Sequence, residues 1–235
     1  MCGRFTLTST PEQLAEVFEL DEVECSPRYN IAPSQEILNI HGGGPGGGRG
    51  TEVRRWGLIP SWAKDARIAS HCFNARAETV AEKPAFRDSF RYRRCLIPAD
   101  GFYEWERVAG GGRAQPYHIT SAVGGPFAMA GIWDAWEPES GDRTVSCAVI
   151  TVPANRELRE LHSRMPVILG PESFGVWLDG SVEDPEVLLP RLESLPDGSL
   201  SLRPVDARVN DARHDTVDCL APFTPPPTLA QGELF

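Results

Sequence analysis

What this sequence lacks narrows it first. None of its six cysteines (Cys2, Cys25, Cys72, Cys95, Cys147, Cys219) lies two residues from another. The paired spacing of zinc ribbons and thioredoxin-type motifs is therefore absent. His71-Cys72 is the one neighbouring His/Cys pair, weak support for a metal site, so no metal and no other cofactor is expected. No run is long and apolar enough to span a bilayer, and no secretory leader is recognisable. A cytoplasmic protein with reduced thiols and no membrane partner is the expectation. Positive charge is also short: 23 Lys and Arg stand against 33 Asp and Glu, a net charge of -10. That excludes a protein that coats nucleic acid through bulk charge, while a local basic groove remains open.

What is present suits a globular fold. The 235 residues are 41% hydrophobic, enough for a sizeable core, and neither an internal repeat nor a convincing linker divides them. Residues 1–235 are read as one domain, with a proline-rich, loosely ordered tail over 222–235. Thr10, Pro11 and Gln13 form a capping-box start for a helix whose Leu14, Val17 and Phe18 share a face. The glycine-rich stretch 42–50 lacks the Lys-Ser/Thr ending of a phosphate-binding loop and reads as a flexible connector. Strands are expected at 37–40, 53–59, 94–97, 101–107, 117–120, 127–133, 145–152, 166–169 and 200–205, with a turn at Gly110-Gly111-Gly112. Cys147 reads as a small hydrophobe in one of them. Helices are expected at 155–161, 172–178 and 185–195. Many short strands with scattered helices predict an α+β fold with a β-barrel-like core of mostly antiparallel strands and peripheral helices.

Cys2 is the first candidate for chemistry. Removal of Met1 would leave a free α-amine and a thiol on adjacent carbons, a pair that no internal cysteine has. Such an aminothiol can attack an acyl group, or condense with an aldehyde and close a thiazolidine ring; equally, Cys2 can stand second by chance in a floppy terminus. In Gly101-Phe102-Tyr103-Glu104-Trp105-Glu106, a carboxylate among aromatics suits acid–base work at Glu104, unless that side chain points to solvent. His162, between a short helix and a strand, is a natural proton carrier or a structural histidine, and Arg164 beside it could hold a phosphate. Asn74 in Asn74-Ala75-Arg76-Ala77-Glu78 can orient a reacting group, or cap a helix ahead of an Arg/Glu surface pair. Trp56 and Trp62 pack a core or stack on bases. The basic, aromatic stretch 87–94 reads as a solvated face leading into a strand, or as part of a groove.

Six segments in order resemble the SOS-response-associated peptidase (SRAP) family of abasic-site processing proteins. They are Met1-Cys2-Gly3-Arg4, Arg28-Tyr29-Asn30-Ile31-Ala32-Pro33, residues 56–62, Asn74-Ala75-Arg76-Ala77-Glu78, Pro98-Ala99-Asp100-Gly101-Phe102-Tyr103-Glu104-Trp105 and Leu161-His162-Ser163-Arg164-Met165-Pro166. Val209-Asn210 resembles the family's closing motif; the stretch 42–50 is not a family motif. The resemblance implies recognition of abasic sites in single-stranded DNA, and a covalent crosslink from processed Cys2 to the sugar aldehyde. It implies catalytic roles for Cys2, Asn74, Glu104 and His162. It implies DNA contacts from Arg4, Asn30, Pro33, Trp62, Arg76, Thr151 and Arg164, by a monomer. Two rival readings stay open: an N-terminal-nucleophile amidohydrolase using Cys2 on glutamine, and a DNA-binding module without chemistry.

Overall fold

Five strands close on one another at the centre of the computed structural model, which describes residues 2–42, 48–106, 114–138 and 141–223. In chain order the strands are β1 Phe5–Leu7, β2 Arg28–Ile31, β3 Glu36–Gly42, β4 Arg49–Trp56, β5 Asn74–Arg76, β6 Arg94–Ala99, β7 Gly101–Glu106, β8 Gln115–Ser121, β9 Phe127–Trp136, β10 Thr144–Pro153, β11 Arg164–Pro166, β12 Ile168–Leu169 and β13 Leu200–Pro204. The helices are α1 Pro11–Phe18, α2 Ala77–Val80, α3 Arg87–Tyr92, α4 Arg156–Arg159, α5 Pro171–Leu178 and α6 Pro185–Leu188. The ring runs β10-β4-β3-β6-β9 and returns to β10. Only its β10–β4 contact is parallel, through Ser146↔Arg55 and Cys147↔Trp56. Closure removes free strand edges and buries Ile40, Trp56, Leu96, Ile97, Met129, Cys147 and Val149 completely. The α+β fold with a barrel-like, mostly antiparallel core is as the strand pattern predicts.

A second sheet, β13-β8-β7-β1-β2, carries the N-terminus. Its register pairs Phe5 with Phe102 and Thr6 with Gly101, and the Tyr103 amide donates to the Arg4 carbonyl at 2.9 Å. This antiparallel run brings the residues before Phe5 alongside Tyr103 and Glu104. Pairing in register, not sequence proximity, thus joins the two ends of the candidate site.

Several elements depart from the sequence expectations. Thr10 and Gln13 cap α1 reciprocally, and Leu14 and Phe18 are buried, but Val17 is exposed. The flanks of the glycine-rich stretch are ordered hairpin: Gly42 pairs with Arg49 and His41 with Gly50. Residues 43–47, the turn at 110–112 and the tail from 224 lie outside the described residues. Pro222 is bridged to Val205. The predicted helix over 185–195 is broken, α6 giving way to a 3-10 turn at Leu189–Arg191. Residues 87–92 form α3, and Arg94 after it is buried instead of solvated. Its guanidinium donates to the carbonyls of Phe90, Arg91, Trp177, Asp179 and Val182. A planar five-donor fork can satisfy so many acceptors, which is why a cation is stable there. Burial lowers its pKa to about 10.

Candidate active site around Cys2

Cys2 is fully buried, so it is no floppy terminus. Its thiol lies 3.9 Å from the Arg4 carbonyl, and burial, reinforced by the charge of Glu104, pushes the thiol pKa up. The side-chain amide of Asn74 donates to the Cys2 carbonyl at 2.7 Å. Asn74 caps no helix: it opens β5, opposite Val149 of β10, and the residue before α2 is Arg76. Its Oδ1 is buried without a hydrogen-bond partner among the described residues. An acceptor in that state is an unmet demand at the site, since buried polar atoms are nearly always paired.

Both faces of β7 are covered. Phe102 packs into the main core, and Tyr103 joins a smaller cluster with Val205, Val209 and Cys219. Glu104 is 4% exposed, so the solvent-facing alternative for this carboxylate does not hold. Burial raises its pKa to about 7. His162 Nδ1 stands 3.9 Å from Glu104 Oε1 and accepts the Arg164 amide at 3.1 Å. The histidine is set at the end of α4, where its own amide donates to the Leu158 carbonyl at 2.9 Å. Cys2, Asn74, Glu104 and His162 thus come from four separate segments to one place.

The residues expected at DNA divide. Trp62 is 55% exposed; with Lys64, Arg67 and His71 it lines an open groove. Trp56, by contrast, is core, edge-on to Phe5 at 5.3 Å. Arg76 is exposed and Pro33 half-buried in a turn. Arg164 makes a two-pronged ion pair with Glu78 at 2.6 and 2.9 Å, and also donates to the Thr151 carbonyl and hydroxyl. The hydrogen-bonded partner of Glu78 is therefore Arg164, 86 positions away, and not Arg76, two positions back, of the sequence reading.

Asn30 and Thr151 are fully buried, so neither side chain presents itself at a surface. The Asn30 amide donates to the carbonyls of Val209, Asp211 and His214 at 3.1, 2.9 and 2.7 Å, and its oxygen accepts from Arg4 at 2.8 Å. Arg4 also donates to the Val209 carbonyl at 2.7 Å. Asn210 accepts from the Trp105 indole at 2.6 Å. Together these bonds form a clasp in which the closing segment holds the strand after Cys2 and the residue after Glu104. Sequence reasoning missed its long-range partners; the one signal was the Val209-Asn210 motif. Among the described residues, no group of three or more His, Cys, Asp or Glu is placed to hold a metal ion.

Known proteins are similar to this chain in sequence and fold. A family model described as SOS response associated peptidase (SRAP) matches residues 1–212. The chain is 39% identical over 224 residues to the abasic site processing protein YoqW of Bacillus subtilis, covering 94% of this chain and 99% of that one. It is 38% identical over 198 residues to the abasic site processing protein HMCES of Rattus norvegicus, covering 72% of this chain and 55% of the longer relative. A crystal structure of a Bacteroides thetaiotaomicron protein shares the fold, with a TM-score of 0.81 at 24% identity over 94% of this chain and 100% of that one. A phage-related protein of Bordetella bronchiseptica has a TM-score of 0.67 at 28% identity, covering 87% of this chain and 94% of that one.

Proposed function

The chain belongs to the SOS response associated peptidase family, and from that premise we propose that it captures abasic sites in single-stranded DNA through Cys2. The carrying observation is the convergence on the N-terminal residue: Asn74 grips its carbonyl at 2.7 Å, and a carboxyl group titrating near 7 stands 3.9 Å from His162. The curated relatives named above are abasic site processing proteins; the chemistry that follows is our reading of this site.

An abasic deoxyribose is mostly a closed hemiacetal. Opening it moves a proton from the anomeric hydroxyl to the ring oxygen. Glu104, close to half-protonated at neutral pH, can accept one proton and return the other, and His162 can relay it. Once Met1 is removed, the Cys2 amine has an ordinary pKa of about 7.7–8.0, so part of it is neutral. The neutral amine adds to the aldehyde, and loss of water gives an imine. The Cys2 thiol then adds to the imine carbon, its proton passing to nitrogen, and a thiazolidine closes. That step is intramolecular, with an effective molarity of up to about 10⁵ M or more in well-oriented cases. The product carries no imine to promote strand cleavage. Asn74 anchors the nucleophilic residue, and its unpartnered Oδ1 is an acceptor for a sugar hydroxyl. The arginines and Trp62 hold the flanking strand. Removal of Met1 by the protein itself accounts for the peptidase in the family's name.

A denaturing gel tests this directly. Protein lacking Met1, mixed with a single-stranded oligonucleotide carrying one abasic site, gives a heat-resistant shifted band that is absent with Cys2→Ala. No band with fully processed protein sinks the reading.

A further inference from the structure

Resting on the DNA-capture reading above, we propose that Glu78 is a built-in phosphate mimic that gates Arg164 and so limits how tightly the protein holds undamaged DNA. The guanidinium of Arg164 has two edges that can grip a planar or tetrahedral anion with paired N–H groups. One, Nε with Nη2, faces Thr151 and is occupied by its hydroxyl at 3.3 Å and by its carbonyl. The other, Nη1 with Nη2, is taken by both oxygens of Glu78. No paired edge is left for a phosphate until the carboxylate swings away.

The geometry also makes Glu78 displaceable. Thr151 is fully buried, and its hydroxyl is fixed to the Ala75 carbonyl at 3.2 Å. It holds the inner edge of Arg164 whether or not Glu78 is present, so Glu78 is not needed to place the arginine. The arginine side chain is 12% exposed and the glutamate side chain 46%, so the carboxylate can rotate into water while the cation stays. Glu78 also lies two positions after Arg76, whose charge acts on it as well; one carboxylate is thus set between two cations that the proposed function assigns to the DNA backbone. Water reaches the glutamate end of the pair and screens it, which limits its strength. Breaking it handicaps phosphate binding by a small factor, which a covalent reaction tolerates and non-covalent retention on intact DNA does not.

The test is fluorescence anisotropy with a single-stranded oligonucleotide lacking any abasic site, titrated by wild type, E78Q, R164A and the double variant E78Q/R164A over a NaCl series. A gate predicts that E78Q binds about threefold tighter than wild type. The salt dependence of log K should steepen toward one more phosphate, a change in slope of about 0.7. The gain should vanish when Arg164 is already alanine. Equal or weaker binding by E78Q, or a gain that persists in the R164A background, overturns the gate; weaker binding would make Glu78 a positioning residue instead. Crosslinking of wild type to an abasic oligonucleotide is run in parallel. If that band forms while E78Q gains nothing, the gate alone falls. If no variant binds or crosslinks, the gate and the capture reading fall together.

Discussion

The side-chain amide of Asn74 donates to the backbone carbonyl of Cys2 at 2.7 Å. The bond ties β5, anchored in the barrel through β10, to a terminus that belongs to the second sheet. Asn74→Ala removes it and leaves the buried Cys2 carbonyl without that donor. We expect a crosslinking rate reduced roughly tenfold, the worth of one well-aligned hydrogen bond, and a modest fall in melting temperature from the ~1–3 kcal/mol cost of an unmet buried acceptor. Single-turnover gels and a thermal melt check both halves.

Glu104 and His118 set opposite pH dependences of stability. Burial raises the folded pKa of Glu104 from its ordinary 4.5 to about 7. Its stabilising proton is therefore fully held below about pH 4.5 and lost as pH rises through 7, a swing of about 3 kcal/mol. His118, 6% exposed and tilted against the Tyr103 ring at 4.9 Å, has its pKa lowered from 6.5 to about 4 by burial and then by Arg203. It stabilises above 6.5 and loses that contribution as pH falls through 4. Between about pH 4.5 and 6.5 the two slopes oppose each other. In urea titrations, Glu104→Gln should leave a protein that weakens on acidification, and its advantage over wild type should appear only toward about pH 8. An E104Q profile parallel to wild type over about pH 4.5–8 refutes the assignment.

The same Glu104→Gln variant keeps the shape of the side chain but can neither take nor give the proton. Crosslinking by wild type should show an inflection near pH 7, where the carboxyl titrates, and the variant should be slower and lack it. Rates measured from about pH 5 to 9 decide.

Asn30→Ala should be far more damaging to the fold. It takes a donor from three backbone carbonyls and an acceptor from Arg4; Val209 keeps Arg4 and His214 keeps the Cys219 thiol, while the Asp211 carbonyl loses the donor it had. A loss of about 3 kcal/mol or more is expected from unmet buried groups, read as a lower urea midpoint. Residues 205–215 should also become quicker to exchange amide hydrogens.

Arg94→Lys tests whether charge or fork geometry matters at the five-carbonyl site. A lysine keeps the charge but has three donors, so carbonyls among those of Phe90, Arg91, Trp177, Asp179 and Val182 lose their partner. Destabilisation of about 3 kcal/mol is expected, with DNA crosslinking unchanged at temperatures where the variant is folded.

Much of the local structure was legible. Thr10, Pro11 and Gln13 announce α1 because a capping box involves only residues three apart. The run Val145-Ser146-Cys147-Ala148-Val149-Ile150 announces β10 because a strand buried on both sides is apolar throughout. Where reading failed, a partner lay far away. The stretch 87–94 looked like a solvated basic face because the carbonyls that absorb Arg94 come partly from residues 177–182. Arg76 looked like the partner of Glu78 because Arg164 is remote in the chain. That Asn30 and Thr151 are fully buried was equally illegible, because burial depends on what packs over a residue and not on its neighbours in the chain.

By itself, the sequence determined the chemistry available: an aminothiol at Cys2 once Met1 is gone, a carboxylate in an aromatic strand, a histidine at a helix end, and an alternation that makes strands. These depend on residue type and short spacing. Only the tertiary structure decided which groups meet and in what state. The β1–β7 register brings the N-terminus to Glu104, burial moves that carboxyl to about 7, and β10 sets Asn74 and Thr151 side by side with the segments they serve. Register and desolvation are properties of the assembled sheets, because they arise from pairings between segments the chain keeps tens of residues apart.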